Sequence, residues 1–518
     1  MPAPVLPPPA RSPPPSTILA SRRVVLGGGS DGSDLHIAPA AIRIEGSRIA
    51  EARRLDGARY RENLARFAEE TGGRPRDFGD RLISPAFVNA HTHLALGFLR
   101  GSAPPEALRG NMVRELYFAI ERNLEPEDVA AFTRMGAYES LLAGVGLVWD
   151  HYYHGLAVAQ GLAQTGLAGV VAPTVQDLSG PGVGWTRDQL LATERIAQSA
   201  DLLDAGIAAA VGPHATDTVS EELWSEAAAI AREHELPLHA HLAQSLEEHS
   251  FSVKERHDTP VGWLASLRVL EGLPAAVFAH ALYASRRDLA RLDPARDVLV
   301  FCPCSQLVFG FPADPLVWEE AGLRWAVATD CSPSNDSMNL QKELRHVAGL
   351  RTAATSSSRA YRDLVEEPEQ DLGTRRRGDS IEYLARVPVE GDALADAVWR
   401  ERLGLFERAA EIARPESLLA RVWSVPGALH PVLRAGVLEA GALANLLVWD
   451  PEHPSMWPGA GLSTLAMGDT TQAIHAMFVA GREVGQAGDF HRSLVESERY
   501  REALREADRR REVLLAKR

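Results

Sequence analysis

The sequence predicts an α/β chain built on a (β/α)₈ TIM barrel, with a small β-sandwich-like domain formed by its N- and C-terminal segments. Three observations predict this. Eight short apolar runs alternate with helix-like stretches between residues 83 and 330. Most of the runs are continuously hydrophobic, as parallel strands buried on both faces are. Reactive side chains collect at the C-terminal ends of the runs, the face on which such barrels carry their chemistry. An open, doubly wound sheet is the competing architecture; eight βα units within about 250 residues favour the closed form.

The runs are ISPAFVNA (83–90), VGLVWD (145–150), AGVVAPTVQ (168–176), IAAAVGPHATD (207–217), LPLHAHLAQ (236–244), AVFAHA (276–281), DVLVFCPCS (297–305) and RWAVATD (324–330). The 94–144 segment reads as helical, with EPEDVAAFTRMGAYESLLAG (125–144) as its clearest part. SEELWSEAAAIAREHE (220–235) has Ser220 placed to cap a helix whose first turns are acidic. At or just past the strand ends stand Asp150 and His151, His214 and Asp217, His241, His280 and Asp330.

Outside residues 83–424, AAIRIEGSRIAEARR (40–54) reads as a hairpin turning at Gly46. GVLEAGALANLLVWD (436–450) and AIHAMFVAGREVG (473–485) read the same way. Segments 17–82 and 425–488 are expected to meet in one composite β-domain. Residues 1–16 are proline-rich and read as a disordered extension. Residues 351–400 are charged and irregular, an insertion that serves as a lid or stays disordered. Residues 489–518 form a charged helix, expected on the surface or against another subunit of a homo-oligomer.

The formal net charge is 54 − 69 = −15, which argues against a nucleic-acid surface. No apolar run reaches the ~20 residues of a membrane span, and the N-terminus lacks the apolar core of a signal peptide. The expectation is a cytoplasmic protein acting on a small-molecule substrate. Cys302, Cys304 and Cys331 are too few for a disulfide framework; Cys302 and Cys304 read as free thiols and Cys331 as a small packing residue.

His91 and His93 lie two apart at a strand end, so both side chains project to one side. As neutral imidazoles they can share an ion. An isolated HxH is more often chance than a site; here His241, His280 and Asp330 wait at other strand ends. Together they offer three or four nitrogens and a carboxylate, a set suited to zinc first and ferrous iron second.

FVNAHTHLALGFLRG (87–101), GPHATDTVS (212–220), HAHLAQSLEE (239–248), FAHALYAS (278–285) and VATDCSPSNDSMNLQKELR (327–345) resemble the amidohydrolase superfamily. The branch they resemble holds the S-adenosylhomocysteine and methylthioadenosine deaminases, guanine deaminase and the triazine hydrolases. The likeness covers roughly residues 40–345 and 415–485. It implies that His91, His93, His241 and Asp330 are metal ligands, that His280 contacts the activated water or the substrate, and that His214 contacts the substrate. Arg100 reads as structural. Binuclear members bridge two metals with a carboxylated lysine or a glutamate. This chain's three lysines, Lys254, Lys342 and Lys517, lie far from the third and fourth runs, and those runs contain no glutamate. One metal is therefore expected. The implied reaction is hydrolysis of a C–N bond, deamination of a heterocyclic amidine by activated water with Asp330 shuttling the proton.

The chain departs from the pattern at four places. Gln244 stands where the branch has a glutamate that protonates a ring nitrogen, and an amide cannot carry a proton. Three outcomes are open: Gln244 only orients substrate while Asp330 and His280 move the protons, Glu247 or Glu248 takes over, or the activity is changed or lost. Phe301 stands for a histidine, Gln306 for an asparagine and Asn445 for an aspartate. Amidase-type or dehalogenating hydrolysis and a catalytically silent metal-binding scaffold remain as alternatives.

Overall fold

A computed structural model describes residues 16–29, 31–102, 112–309, 315–357, 374–377, 380–383, 409–459 and 461–517. Every one of the eight apolar runs contains a strand. They are β1 (Phe87–Thr92), β2 (Val145–Tyr152), β3 (Ala168–Val175), β4 (Ile207–Ala209, continued by Gly212–Pro213), β5 (Leu238–Leu242), β6 (Ala276–His280), β7 (Asp297–Phe301) and β8 (Arg324–Val327). All neighbouring pairs within β1–β4 and within β5–β8 are parallel. Parallel bridges Val211↔Leu238 and Thr92↔Asp330 link the two groups at either seam. Both faces of these strands are buried, β2 and β3 along their whole length, which is why the runs show no alternation.

Helices cover the strands between Pro126–Leu142 and Glu221–Glu233. Ser220 caps the second, its side chain accepting from the Leu223 N–H, a contact worth about 1 kcal/mol. The first apolar run is divided. Leu82–Pro85 joins an outer sheet, antiparallel to Leu446–Trp449, while β1 enters the central one. Pro85 has no N–H to extend a ladder, and the next N–H, of Ala86, goes to Asn445 O at 3.0 Å.

The outer sheet has eight strands drawn from both ends of the chain. Its order runs Arg482–Val484, Ile474–Val479, Leu446–Trp449, Leu82–Pro85, Thr17–Leu26, His36–Glu45 and Arg48–Arg54, with Arg74–Asp77 also against Thr17–Leu26. One sheet thus takes the place of two facing sheets. Leu19, Ile42, Ile83, Leu446, Val448 and Phe478 form one apolar cluster. Ile18, Ala20 and Ala41, on the alternate positions, pack on Tyr60, Leu64 and Phe67 of a helix, Tyr60–Thr71. The 40–54 and 473–485 hairpins form as the sequence suggests. The 436–450 segment gives a single strand, Leu446–Trp449, preceded by a turn in which Gly436 and Gly441 both have positive φ.

Asn445 ties the two sheets together. Its Nδ2 donates to Gly146 O at 3.0 Å and its Oδ1 accepts from Ala480 N at 2.7 Å. An aspartate could make only the second bond, which accounts for the amide here.

The C-terminal helix, Glu498–Ala516, packs on Pro126–Leu142 of its own chain. Arg510 pairs with Asp128 at 2.9 Å, Tyr500 meets Tyr138 edge-on, and Arg511 Nε donates to Phe98 O at 2.7 Å. Of the 351–400 segment, only the last turns of helix Leu340–Ser357 and the pair Thr374–Arg377 with Ser380–Tyr383 are described. The remainder, like residues 1–15, lies outside the described residues. Among the described residues no helix is long and apolar enough to cross a membrane.

Candidate active site

The strand ends converge as the sequence suggests. His91, His93 and His241 bring ligand atoms within 4.8 Å of one another, as do His91, His280 and Asp330. Asp330 Oδ1 lies 3.7 Å from His91 Nε2 and 3.5 Å from His93 Nε2. Several of these strand ends turn abruptly: Ala243, His280, Ala281 and Asp330 all have positive φ. Non-glycine residues held there cost on the order of 1–3 kcal/mol each and cluster at functional sites. A buried network holds the Asp330 turn. Asp330 N donates to His91 O at 3.1 Å. Asn335 Nδ2 donates to Thr329 O at 2.7 Å, and Asn89 Oδ1 accepts from Thr329 N at 3.1 Å. Asn335 Nδ2 is in turn held by Glu343 Oε1 at 2.6 Å.

The donor set fits a divalent ion. His93 Nδ1 donates to His151 O, and His241 Nδ1 donates to His214 O at 3.0 Å. Both rings therefore present a bare Nε2, and these two nitrogens face each other at 3.2 Å. Two lone pairs at that distance repel unless a cation lies against them. His91 Nδ1 is 2.9 Å from His239 Nε2, and His91 Nε2 is buried with no hydrogen-bond partner. Such orphaned buried nitrogens are rare in finished proteins. Burial, then the neighbouring histidines, push His91 and His241 well below 6.5. Neutral imidazole is the form that ligates.

A cavity of about 140 Å³ opens onto this cluster. His214, Gln244 and His280 line it with Asp330. His214 Nδ1 is held by Thr218 Oγ1 at 2.9 Å, and burial drops this imidazole to about 3. Ser305 Oγ donates to Asp330 Oδ2 at 2.6 Å. Gln244 is half-buried at the wall, its backbone N–H donating to Glu248 Oε2 at 2.8 Å. Of the two glutamates that could replace its acid, Glu247 lines the cavity. Glu248 does not: its carboxyl is engaged by Thr216 Oγ1 at 2.6 Å and by the Gln244 N–H. Asp150 does not line the cavity; its Oδ2 accepts from Leu94 N at 2.7 Å and from Thr92 Oγ1 at 3.0 Å. Arg100 is bound to Glu139 and to Ser332 Oγ at 2.9 Å and does not line the cavity. All three cysteines are free and buried; Cys331 lines the cavity.

Three features escape a reading of the sequence. Glu121 lines the cavity from the helix after β1, only 3% exposed, and burial raises its carboxyl to about 7. Tyr152 and Tyr153 line the same wall. Arg114 bridges to Asp217 at 2.7 Å, joining the segment after β1 to the loop after β4. Glu121 sits inside an amphipathic helical stretch, and nothing in its spacing separates it from surface glutamates.

The model of the amidohydrolase family matches residues 82–364. A 5'-deoxyadenosine deaminase of Methanothrix thermoacetophila is 28% identical over 354 residues, 65% of this chain and 78% of that protein. A 5-methylthioadenosine/S-adenosylhomocysteine deaminase of Halobacterium salinarum is 28% identical over 54% of this chain and 64% of its own length. Among solved structures, a zinc-bound adenosine deaminase from Xanthomonas campestris superposes with a TM-score of 0.72 at 18% identity, covering 96% of this chain and 98% of that one. An atrazine chlorohydrolase from Arthrobacter aurescens with zinc gives 0.62 at 18% identity over 96% and 99%. With the family match spanning more than half of its length, the chain belongs to the amidohydrolase family.

Proposed function

We propose that this protein is a metal-dependent hydrolase that deaminates a heterocyclic amidine, a purine, pyrimidine, triazine or nucleoside, at a single ion held by His91, His93, His241 and Asp330. The observation that carries the reading is the pair of facing Nε2 atoms of His93 and His241 beside the orphaned His91 Nε2. Zinc is the expected ion, iron the second choice, since three imidazoles and a carboxylate suit both. When bound, such an ion acts as a Lewis acid and brings the pKa of water towards about 7.

The chain's own groups supply the rest. Asp330, held by Ser305 at one oxygen, takes the proton from the attacking water and returns it to the departing amine. His280 faces the same space and donates to the oxygen that gains charge; such donors are worth about 3–4 kcal/mol. His214 and Gln244 orient the ring. The eight parallel strands are read as a closed barrel, supported by the two seam bridges. The domains are read as 83–424 for the barrel and 17–82 with 425–488 for the composite β-unit, supported by their shared sheet. The relatives named as deaminases of adenosine derivatives support a small-molecule substrate.

Gln244 favours a second reading in which no ring nitrogen takes a proton from this strand, as in amidase-type or dehalogenating hydrolysis. Metal analysis with ammonia release over a panel of purines, pyrimidines, triazines and nucleosides decides. Stoichiometric metal with ammonia release supports deamination. Metal with chloride or carboxylate release supports the second reading. Bound metal without hydrolysis of any kind leaves a silent scaffold.

A further inference from the structure

We infer that Gln306 is a positioning residue that fixes the ring proton of His280 on Nε2, so that His280 serves this site as a permanent hydrogen-bond donor and never as a base. Gln306 stands at one of the positions where this chain departs from the branch it resembles, and only the kinetic consequence of its role rests on the hydrolase reading.

The amide orientation is settled by what surrounds it. Gln306 Oε1 lies 3.1 Å from the backbone N of Cys302. A backbone N–H can only donate, so the atom facing it is the oxygen. The other end of the amide is then the NH₂ group, which can only donate. It lies 3.0 Å from His280 Nδ1, so that nitrogen must be the acceptor and the ring proton must sit on Nε2. Gln306 is 3% exposed and His280 6% exposed, so the two side chains meet directly and away from bulk solvent.

The consequence lies on the opposite edge of the ring. His280 Nε2 is 4.0 Å from Asp330 Oδ2, beyond hydrogen-bond length, and that oxygen already accepts from Ser305 Oγ at 2.6 Å. Both His280 and Asp330 line the cavity. The Nε2–H is thus left for whatever occupies the space between them. The only ring lone pair is on Nδ1, turned away and held by the amide, so His280 has nothing with which to take a proton from water or substrate. Proton transfer on this side of the cavity falls to Asp330 alone. The longer glutamine side chain, where the branch has asparagine, comes from the first turns of helix Pro303–Phe309 and still reaches both partners.

Two substitutions separate this role from a structural one. Gln306→Glu keeps an acceptor for the Cys302 N–H but presents an acceptor to Nδ1, which moves the ring proton there. Gln306→Met removes both bonds and leaves the tautomer free. A packing role makes Met the worse replacement. The tautomer role makes Glu the worse, with kcat at pH 8 down about 10²-fold, the effect of losing one oxyanion donor, KM little changed, and Met within a few-fold of the wild type. The second readout needs no substrate: solid-state NMR of ¹⁵N-histidine-labelled protein, with His280 assigned by its loss in His280→Gln. The expected spectrum has Nδ1 unprotonated and Nε2 protonated in the wild type, and Nδ1 protonated in Gln306→Glu. A wild-type Nδ1 proton overturns the inference whatever the activity, and so does a Met variant slower than the Glu variant. A correct tautomer in a protein that hydrolyses nothing upholds it and fails the hydrolase reading instead.

Discussion

His93 Nε2 and His241 Nε2 stand 3.2 Å apart with both Nδ1 atoms donating to carbonyls, so each offers a lone pair to the same point. A bound cation converts this repulsion into ligation, which ties metal to stability. Chelation is expected to destabilise the protein by about 4 kcal/mol relative to protein held at a thousandfold excess of metal over its Kd. His241→Ala is expected to retain under about a tenth of an equivalent of the one ion per chain, because a bond to the cation is gone. Elemental analysis and denaturant unfolding with and without chelator check both. Full metal in His241→Ala, or two tightly bound ions per wild-type chain, contradicts the ligand set.

Gln244→Glu is expected to raise turnover of ring-amidine substrates at least tenfold, since general acid–base groups contribute about 10²–10⁴-fold where geometry allows. The backbone position is held independently of the side chain, by the Gln244 N–H to Glu248. The new carboxyl therefore enters the cavity wall where the amide was. Steady-state kinetics on the best panel substrate measure it; unchanged or lower kcat shows that the amide suits a different substrate.

The eight central strands were legible because each is buried on both faces and reads as an unbroken apolar run. The candidate ligands were legible because reactive side chains gather at the ends of the central strands, so His91, His241 and Asp330 could be aligned over more than 200 residues. What could not be read depends on side-chain direction rather than on spacing. Glu121 belongs to a helical stretch whose pattern is satisfied whether it faces cavity or solvent. The 436–445 stretch looked like a strand, but its glycines at 436 and 441 take positive φ and turn the chain. The amide orientation of Gln306 follows from the Cys302 N–H, a contact no sequence pattern encodes.

Asn335→Ala is expected to weaken both fold and catalysis. Asn335 Nδ2 bridges Thr329 O and Glu343 Oε1, and removing it strands two buried acceptors at about 1–3 kcal/mol each. It also frees the turn that keeps Asp330 at positive φ. The expected result is a loss of roughly 2–4 kcal/mol in urea unfolding, two groups at that rate partly relaxed, and a fall in kcat larger than any rise in KM. Wild-type kcat in a destabilised variant separates the fold from the placement of Asp330.

Glu121 gives the molecule a pH dependence of known sign. Burial raises its carboxyl from 4.5 to about 7, with Tyr152 acting weakly in the opposite direction. The folded state therefore holds this proton to higher pH than the unfolded chain does. Its contribution to stability is fully present below about pH 4.5 and is lost as pH rises through about 7. At roughly 1.4 kcal/mol per unit, the loss is about 3 kcal/mol. Glu121→Gln cannot ionise and is spared it. The variant should match the wild type within about 1 kcal/mol at pH 5 and exceed it by about 2–3 kcal/mol at pH 8. Glu343, which burial also raises to about 7, titrates in both proteins and cancels from the comparison. Paired urea titrations at the two pH values measure the difference. A gap that does not widen with pH would mean that Glu121 is ionised in the folded protein at pH 5, and that the cavity wall holds a carboxylate instead of a neutral acid.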